Sequence, residues 1–448
     1  MKTTAQEHVG DSGCVLCWSW GTARMSRSSS SDERFFPNVF PRDIGDNKDK
    51  IMDSDNKKLS KEYLERTQKS LEVLQKTLDV GVAKGDGRGD FSVYTGTSGY
   101  SLLYLHLAQR RKDDAYLKKA SNILKNALRH LKGRRQSFLC GDPGPLALAA
   151  VLHHREGDDD MANDCIARIK RMKEEILNPA SGLPDEMLYG RAGYLYSLLL
   201  VQREVSPSAV DDSLVRGVVT AILDSGRSLA RQRKSSVPLL YQWHDKDYLG
   251  AAHGTAGILF MLMQARKHLT KEELDEVVRP TIDYLASLFF RSGNFPSSLG
   301  SDRDRLVQWC HGAPGAVYLF GKAYQVFGNE SYLEEAKRSG ECVWERGILR
   351  KGYGLCHGTA GNGYALLYLY QITHEPKYLY QAAQFGLWCQ DYGTHGCRTA
   401  DRPLSLYEGL AEQLDFLPAT NPPHCNCSQC YCSPMKQYLC CNLISPLC

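Results

Sequence analysis

The chain has 448 residues, of which 42% are hydrophobic and 24% are charged, so it holds enough apolar side chain for a large globular core. Its 55 basic and 51 acidic residues give a net charge of only +4, and no basic stripe alternates with aromatic residues, which argues against nucleic acid as the main partner. The most apolar runs, such as 194–201 and 258–263, are far shorter than the ~20 residues of a membrane-spanning helix.

Residues 1–33 are predicted to form a disordered tail, because they are polar and include a serine-rich run at 26–31. The apolar stretch 14–21 is too short for a secretory signal, and acidic residues precede it where basic ones belong. Lys2 stands where N-myristoylation requires glycine, and the ending SPLC lacks a prenylation cysteine. We therefore expect a cytoplasmic protein whose 16 cysteines are reduced thiols or metal ligands.

A helix is predicted at residues 60–80, where apolar side chains share one face. Beyond it a repeat begins: two glycines three residues apart, followed by an apolar segment with helical periodicity. The repeat recurs every 45 to 64 residues, which accommodates two helices and two loops. Amphipathic segments lie between the apolar ones, as at 114–132 and 331–346, so we predict buried inner helices alternating with outer helices. The glycine pairs are Gly96/Gly99, Gly141/Gly144, Gly190/Gly193, Gly254/Gly257, Gly312/Gly315 and Gly358/Gly361.

A seventh copy begins at Gly409, although Glu412 stands where its second glycine belongs. Units that stack only on their neighbours build a solenoid or a closed ring. Seven inner helices would close an all-α toroid of helical hairpins, with their glycine-rich N-terminal ends around one mouth. If the glycines serve only tight packing, the prediction of an all-α ring is unchanged.

One residue stands directly before each first glycine, and in a ring these residues would gather at that mouth. Two copies carry a cysteine one step earlier, Cys310 and Cys356. Helix N-termini stabilise thiolates. Two thiolates and one imidazole form a Cys₂His set, which catalytic zinc uses with an open fourth position. The residues before the glycines are Thr95, Cys140, Tyr189, His253, His311, His357 and Glu408.

Other interpretations of the cysteine–histidine pairs stay open. Buried cysteines beside capping histidines need no metal, and a fourth protein ligand would make a zinc site structural. A cysteine hydrolase would pair Cys310 with His357 or His253, but it leaves Cys356 unexplained. We favour zinc because both pairs occupy the same phase of the repeat.

Five motifs closely resemble the LanC-like proteins of eukaryotes, relatives of the bacterial lanthionine cyclases, and the resemblance runs from about Arg34 to Leu410. It implies a seven-fold α/α toroid with zinc held by Cys310, Cys356 and His357. It also implies that the protein binds glutathione and adds its thiol to dehydroalanine or dehydrobutyrine residues in proteins. The motifs are WCHGAPG at 309–315, GYGLCHGTAGN at 352–362, AAHGTAG at 251–257, FLCGDPGPLA at 138–147 and EMLYGRAGY at 186–194.

Two catalytic roles are assigned with help from this resemblance. Addition of a thiolate to the alkene leaves an enolate that needs a proton, and His253 is the candidate acid or base; its alternative is a capping or structural histidine. Glu186 falls where the cyclases carry a functional aspartate, although acidic residues are common at helix starts. His311 and Cys140 receive no role beyond supporting the site.

The resemblance also implies a glutathione site. Cations for the carboxylates and an acidic group for the α-amine suit the tripeptide, and the alternative for each charged residue is a solvated surface charge. The implied residues are Arg34, Lys351, Arg398, Thr399, Ala400 and Asp401.

The sequence departs from the family after the seventh glycine motif. Prolines 418, 422 and 423 interrupt any helix, and seven cysteines crowd the last 24 residues. A soft-metal site or acylation would use such cysteines, but we interpret the segment as an alternative terminus without an evolved role. The predicted domains are therefore the tail 1–33, the toroid 34–412 with an incomplete seventh repeat, and a divergent tail 413–448.

Two functions from different classes follow. The first is a zinc-dependent glutathione transferase whose partners are glutathione and proteins that carry dehydroamino acids. The second is a glutathione-binding zinc scaffold or signalling adaptor without catalysis, which the damaged seventh repeat favours. An α/α-toroid glycosidase would need two well-placed carboxylates and no metal, and has little support.

Overall fold

The computed structural model describes residues 34–45, 50–133, 135–411, 413, 414 and 416. Predictions for the tail 1–33 and for the cysteine-rich segment beyond residue 416 lie outside these described residues. In the described part, the chain forms α-helices and isolated β-bridges but no strand, which confirms the all-α prediction. No helix there combines the length and apolarity that crossing a membrane requires.

Fourteen α-helices occur among the described residues, and a π-helix at Glu273–Val278 precedes the tenth. The predicted helix at 60–80 corresponds to α1, and the amphipathic segments at 114–132 and 331–346 correspond to α3 and α12. The helices are α1 Lys61–Lys84, α2 Thr97–Arg111, α3 Ala115–Leu128, α4 Pro143–Glu156, α5 Asp159–Lys170, α6 Lys173–Leu177, α7 Arg191–Glu204, α8 Asp212–Gln232, α9 Thr255–Gln264, α10 Arg279–Ala286, α11 Ala313–Phe327, α12 Glu330–Arg346, α13 Thr359–Thr373 and α14 Pro376–Gln390.

The helices that follow the glycine motifs, α2, α4, α7, α9, α11 and α13, are buried almost all round. In α4, every residue from Pro143 to His153 is buried. The helices between them bury one face, as in α12, where Tyr332 and Ala336 lie inward. Since burying a leucine-sized side chain contributes roughly 1.5–3 kcal/mol, each inner helix stabilises the fold through several such side chains.

The second glycine of each motif lies in the first turn of its inner helix, where the preceding loop folds back against it. A Cβ on Gly99 would lie 2.5 Å from the Val93 carbonyl oxygen, and one on Gly315 would lie 2.6 Å from that of Trp309. Neither separation is tolerable for carbon and oxygen. Glycine therefore recurs here because the loop needs the space that a side chain would fill.

The loops before the inner helices are joined around the mouth by backbone hydrogen bonds. Cys356 N–H donates to the Tyr407 carbonyl, and Tyr407 N–H donates to that of Tyr94, so the seventh unit links the sixth to the first. Gly250 packs on the Cys310 carbonyl between the fourth and fifth units. The other backbone bonds between neighbouring loops are Tyr94 N to Leu139 O (2.9 Å), Phe138 N to Gly193 O (3.2 Å), Met187 N to Ala252 O (3.0 Å) and Cys310 N to Cys356 O (3.3 Å). Together these contacts close the ring.

Helix α1 occupies the outer position of the seventh unit, between α14 and α3. The Tyr63 hydroxyl donates to the Ala383 carbonyl on α14 (3.1 Å), and Lys119 on α3 pairs with Asp79 (2.8 Å). Residues 411, 413, 414 and 416 are helical, and the Phe416 ring lies 5.0 Å from that of Tyr364 on α13. The prolines predicted to truncate the seventh inner helix lie beyond residue 416, outside the described part.

Candidate metal centre

Four of the residues that precede the first glycines are neighbours in ring order. Cys140 lies beside Tyr189, and the Tyr189 and His253 rings lie 6.1 Å apart between centroids. His253 in turn lies 6.3 Å from His311. Positions 49 to 64 residues apart in sequence are therefore neighbours at the mouth.

Cys310, Cys356 and His357 form one cluster at this mouth, with their possible ligand atoms all within 4.8 Å of one another. Each cysteine lies two residues before the N-cap glycine of its helix, α11 or α13. Both thiols are buried, at 3% exposure. The backbone bond from Cys310 N–H to the Cys356 carbonyl holds the two loops in register.

This cluster fits a zinc ion by its chemistry. The buried Nδ1 of His357 has no hydrogen-bond partner among the described residues, and such an atom costs roughly 1–3 kcal/mol if nothing satisfies it. Burial, reinforced by Lys351 and Arg398, holds the pKa of His357 well below its usual range. The ring is therefore neutral, which is its metal-binding form. Two thiols and one neutral imidazole match the Cys₂His donor set.

A buried carboxylate–imidazole pair lies beside the cluster. The Glu186 carboxylate is 2.7 Å from Nδ1 of His253, and both side chains are almost fully buried. Glu186 also accepts hydrogen bonds from the backbone N–H groups of Leu188 and Tyr189, at 3.0 and 2.5 Å. This network fixes the carboxylate and assigns a proton to Nδ1 of the imidazole.

His311 lies between this pair and the cysteines. Burial, with smaller effects of His253, Lys351 and Lys246, lowers the pKa of His311 to about 3, so its ring is neutral. Cys140 is half-buried beside Tyr189, and desolvation raises the pKa of its thiol. Both residues border the site without joining the three-residue cluster.

The contacts of Cys310 and His253 do not form the pair that a cysteine hydrolase needs. The Cys310 thiol donates to the Gln308 side chain at 3.5 Å, while His253 uses Nδ1 on Glu186. A hydrolase would pair one cysteine with one histidine, whereas Cys310 and His357 share their cluster with a second cysteine, Cys356. The geometry favours a metal cluster with a separate acid–base pair.

The three chain segments that carry the six implied glutathione residues lie side by side. Arg350 N–H donates to the Arg34 carbonyl (3.1 Å), and Arg398 N–H donates to the Arg350 carbonyl (2.8 Å), so three distant segments run side by side. The Arg398 side chain pairs with Asp401 at 3.3 Å. Thr399 is exposed, while Ala400 and Lys351 are half-buried. The charges of Lys351 and Arg398 reach His357, since both lower its pKa.

Sequence reasoning missed one feature of the mouth, a tight turn at residues 243–246. Trp243 and Lys246 exchange two backbone hydrogen bonds of 3.0 and 3.1 Å, and His244 and Asp245 have φ of 47° and 56°. These values define a type I′ turn. The usual sequence signal for such a turn is Asn-Gly, which His244–Asp245 does not provide.

Comparison with known proteins identifies relatives over most of the chain. The family profile described as "Lanthionine synthetase C-like protein" matches residues 87–412. The chain is 44% identical over 342 residues to "Glutathione S-transferase LANCL1" of Danio rerio, covering 76% of this chain and 84% of that protein. It is 34% identical over 363 residues to "LanC-like protein GCL1" of Arabidopsis thaliana, covering 76% and 82%.

Among solved structures, the chain is similar to "Nisin cyclase", with a TM-score of 0.62 at 17% identity. The likeness covers 83% of this chain and 97% of that one, and it confirms the predicted α/α toroid. Fold, glycine motifs and sequence similarity agree over the same residues. The chain belongs to the lanthionine synthetase C-like family.

Proposed function

We propose that this protein is a zinc-dependent glutathione transferase that adds the glutathione thiol to dehydroalanine or dehydrobutyrine residues in proteins. The observation that carries the proposal is the Cys310–Cys356–His357 cluster, with ligand atoms within 4.8 Å of one another. It is accompanied by the buried Glu186–His253 pair and by the basic residues Arg34, Lys351 and Arg398, which we call the cationic strip. The name of the Danio rerio relative, a glutathione S-transferase, supports the class of reaction.

Cys310, Cys356 and His357 would hold the zinc, and three protein ligands leave a fourth position for a thiol. Zinc, when bound, lowers the pKa of a coordinated thiol and so supplies a thiolate nucleophile. Burial of the cluster keeps water from competing for that position and strengthens the electrostatic interactions within it.

The cationic strip would bind glutathione, which carries two carboxylates and one ammonium group. Arg34, Lys351 and Arg398 supply positive charge for the carboxylates, and Asp401 supplies a partner for the ammonium. Because Lys351 and Arg398 act electrostatically on His357, a tripeptide held by them would have its cysteine close to the metal ligands. Binding there orients the thiol before reaction.

His253 would supply the proton that completes the addition. The new C–S bond forms at the β-carbon, the π electrons of the alkene move into the enolate, and the α-carbon then takes a proton. Because Nδ1 is held by Glu186 at 2.7 Å, we assign this transfer to Nε2. The Glu186 carboxylate orients the ring and stabilises its protonated form, and the proton released by glutathione restores it.

The non-catalytic scaffold is the alternative. A scaffold would use the zinc cluster and the cationic strip, but it has no use for a buried Glu186–His253 pair beside them. Burying an ionisable pair is costly, and such pairs cluster where proton transfer occurs. The pair therefore favours the enzyme.

The cytosol is the compartment that we propose for this activity, since it supplies reduced glutathione. The seven cysteines among the described residues are all free thiols, as a reducing compartment requires.

Mass spectrometry of a dehydroalanine peptide, incubated with glutathione and the zinc-loaded protein, tests the proposal. We expect a glutathione adduct to form faster than in buffer, and His253→Ala to lose the acceleration while still binding zinc. A folded, zinc-loaded protein that gives no adduct above the uncatalysed rate would reject the enzyme in favour of the scaffold.

A further inference from the structure

Three nearly parallel rings form a cluster at the catalytic side of the mouth. The Trp243 ring lies 4.2 Å from that of His253 at an interplanar angle of 10°, and 5.6 Å from that of Tyr189 at 20°. Tyr189 and His253 are 6.1 Å apart and tilted by only 11°. These centroid distances describe a triangle rather than a column. The indole therefore covers the imidazole and the phenol together.

The turn that carries Trp243 is anchored on both sides. Before it, the Tyr241 hydroxyl donates to the Ile222 carbonyl on α8 at 3.1 Å. After it, Asp247 forms an ion pair with Arg233, and the Tyr248 carbonyl accepts a hydrogen bond of 3.0 Å from Thr255, the first residue of α9. Helix α9, which begins two residues after His253, is thus hydrogen-bonded to the segment that carries the indole.

The turn also carries backbone strain. His244 and Asp245 are not glycines, yet both occupy the left-handed region, at φ of 47° and 56°. Such residues persist only when the surrounding structure over-determines them, and they cluster at functional sites. Here the contacts with α8 and α9 hold the turn, and the turn places the Trp243 indole against the His253 imidazole.

A hydrogen bond fixes one atom of an imidazole but does not by itself define the plane of the ring. Glu186 holds Nδ1 of His253, and a tilt about that bond would move Nε2 away from its target. A flat aromatic face at stacking distance opposes the tilt. We propose that Trp243 is a positioning residue, whose indole sets the plane of the His253 ring for proton transfer to the enolate; this inference rests on the proposed function.

Steady-state kinetics of the full-length, zinc-loaded protein with glutathione and a dehydroalanine peptide test this role. We expect Trp243→Ala to lower kcat by about tenfold to a hundredfold, since small misplacements of a catalytic group have effects of this size. The KM for glutathione and the zinc content should stay at their wild-type values, because the cationic strip and the metal cluster are untouched.

Two further variants distinguish aromatic stacking on His253 from apolar packing against it. Trp243→Phe keeps a face that can stack and should retain most of kcat, whereas Trp243→Leu keeps apolar bulk without that face and should lose activity as the alanine variant does. Trp344→Phe is the matched control, because Trp344 stacks on Phe385 at 5.7 Å between α12 and α14. It should leave kcat unchanged.

The outcomes are distinguishable. Equal kcat for Trp243→Leu and Trp243→Phe, with both proteins folded by circular dichroism, would overturn the positioning role. So would a loss confined to the KM for the peptide, since the indole would then be a binding platform for the acceptor. An inactive wild type would instead overturn the proposed function, and this inference with it.

Discussion

Glu186 and His253 show how individual residues divide the work of the site. Glu186 is 1% exposed and accepts two backbone hydrogen bonds in addition to its contact with His253. A buried carboxylate with this many donors stays where the fold puts it. Nδ1 of the imidazole therefore faces the carboxylate, and the proposed mechanism assigns Nε2 to the substrate.

Glu186→Gln tests that division. The amide has nearly the same shape, but it lacks the negative charge that stabilises a protonated His253, so we expect kcat to fall by about 10²-fold. Zinc content and the KM for glutathione should be unchanged. Steady-state kinetics measure this effect, with Glu334→Gln, an exposed carboxylate on α12, as the matched control. Wild-type kcat in Glu186→Gln would remove the carboxylate from the mechanism.

Lys351→Gln tests the cationic strip in the same way. Loss of one charge-assisted hydrogen bond to a carboxylate is worth about 1.5 kcal/mol, so the KM for glutathione should rise about tenfold while kcat stays near wild type. Lys377→Gln, which removes a half-buried lysine on α14, should leave both constants alone. An unchanged KM in Lys351→Gln would place glutathione elsewhere.

At the scale of elements, the glycine motif is the unit that builds the mouth. Its second glycine lets the loop pack on the first turn of the inner helix, and Tyr189, His253 and His311, which each precede a first glycine, are neighbours at the mouth. The inner helices were predictable because their apolar segments and glycine pairs repeat. The turn at 243–246 was not, since its strained backbone is imposed by anchors on α8 and α9 rather than by its own residues.

Gly315→Ala tests the packing of this motif. The added Cβ would lie 2.6 Å from the Trp309 carbonyl oxygen and 3.1 Å from the Ala251 side chain, so the loop that carries Cys310 must shift. We expect a loss of about 1–3 kcal/mol in the free energy of unfolding, as for other overpacked positions, with weaker zinc binding. Denaturant unfolding measures the loss.

Gly217→Ala is the control for that experiment, because this glycine lies within α8 and its nearest neighbour is the flexible Leu177 side chain at 3.3 Å. Gly217→Ala should change the free energy of unfolding little, since alanine is a better helix former than glycine. Equal destabilisation by the two variants would contradict the account of the motif.

At the scale of the whole molecule, ring closure explains why distant residues meet. Cys310 and Cys356 belong to adjacent units, which sequence reasoning anticipated from their common phase. The contact of Arg34 with Arg350 could not be derived from the pattern, because it depends on an isolated bridge between Phe35 and Leu349. The outer role of α1 was also invisible in the sequence, since only the closed ring brings it between α14 and α3.

The central claim is that Cys310, Cys356 and His357 hold one zinc ion, and elemental analysis of the purified protein tests it most directly. We predict one equivalent of zinc per chain in the wild type and a large loss in Cys356→Ala, which removes one of three ligands. Cys342→Ala, which removes a buried thiol from α12 away from the cluster, should keep the metal. A folded wild-type protein that stays zinc-free when the metal is supplied in excess would contradict the account.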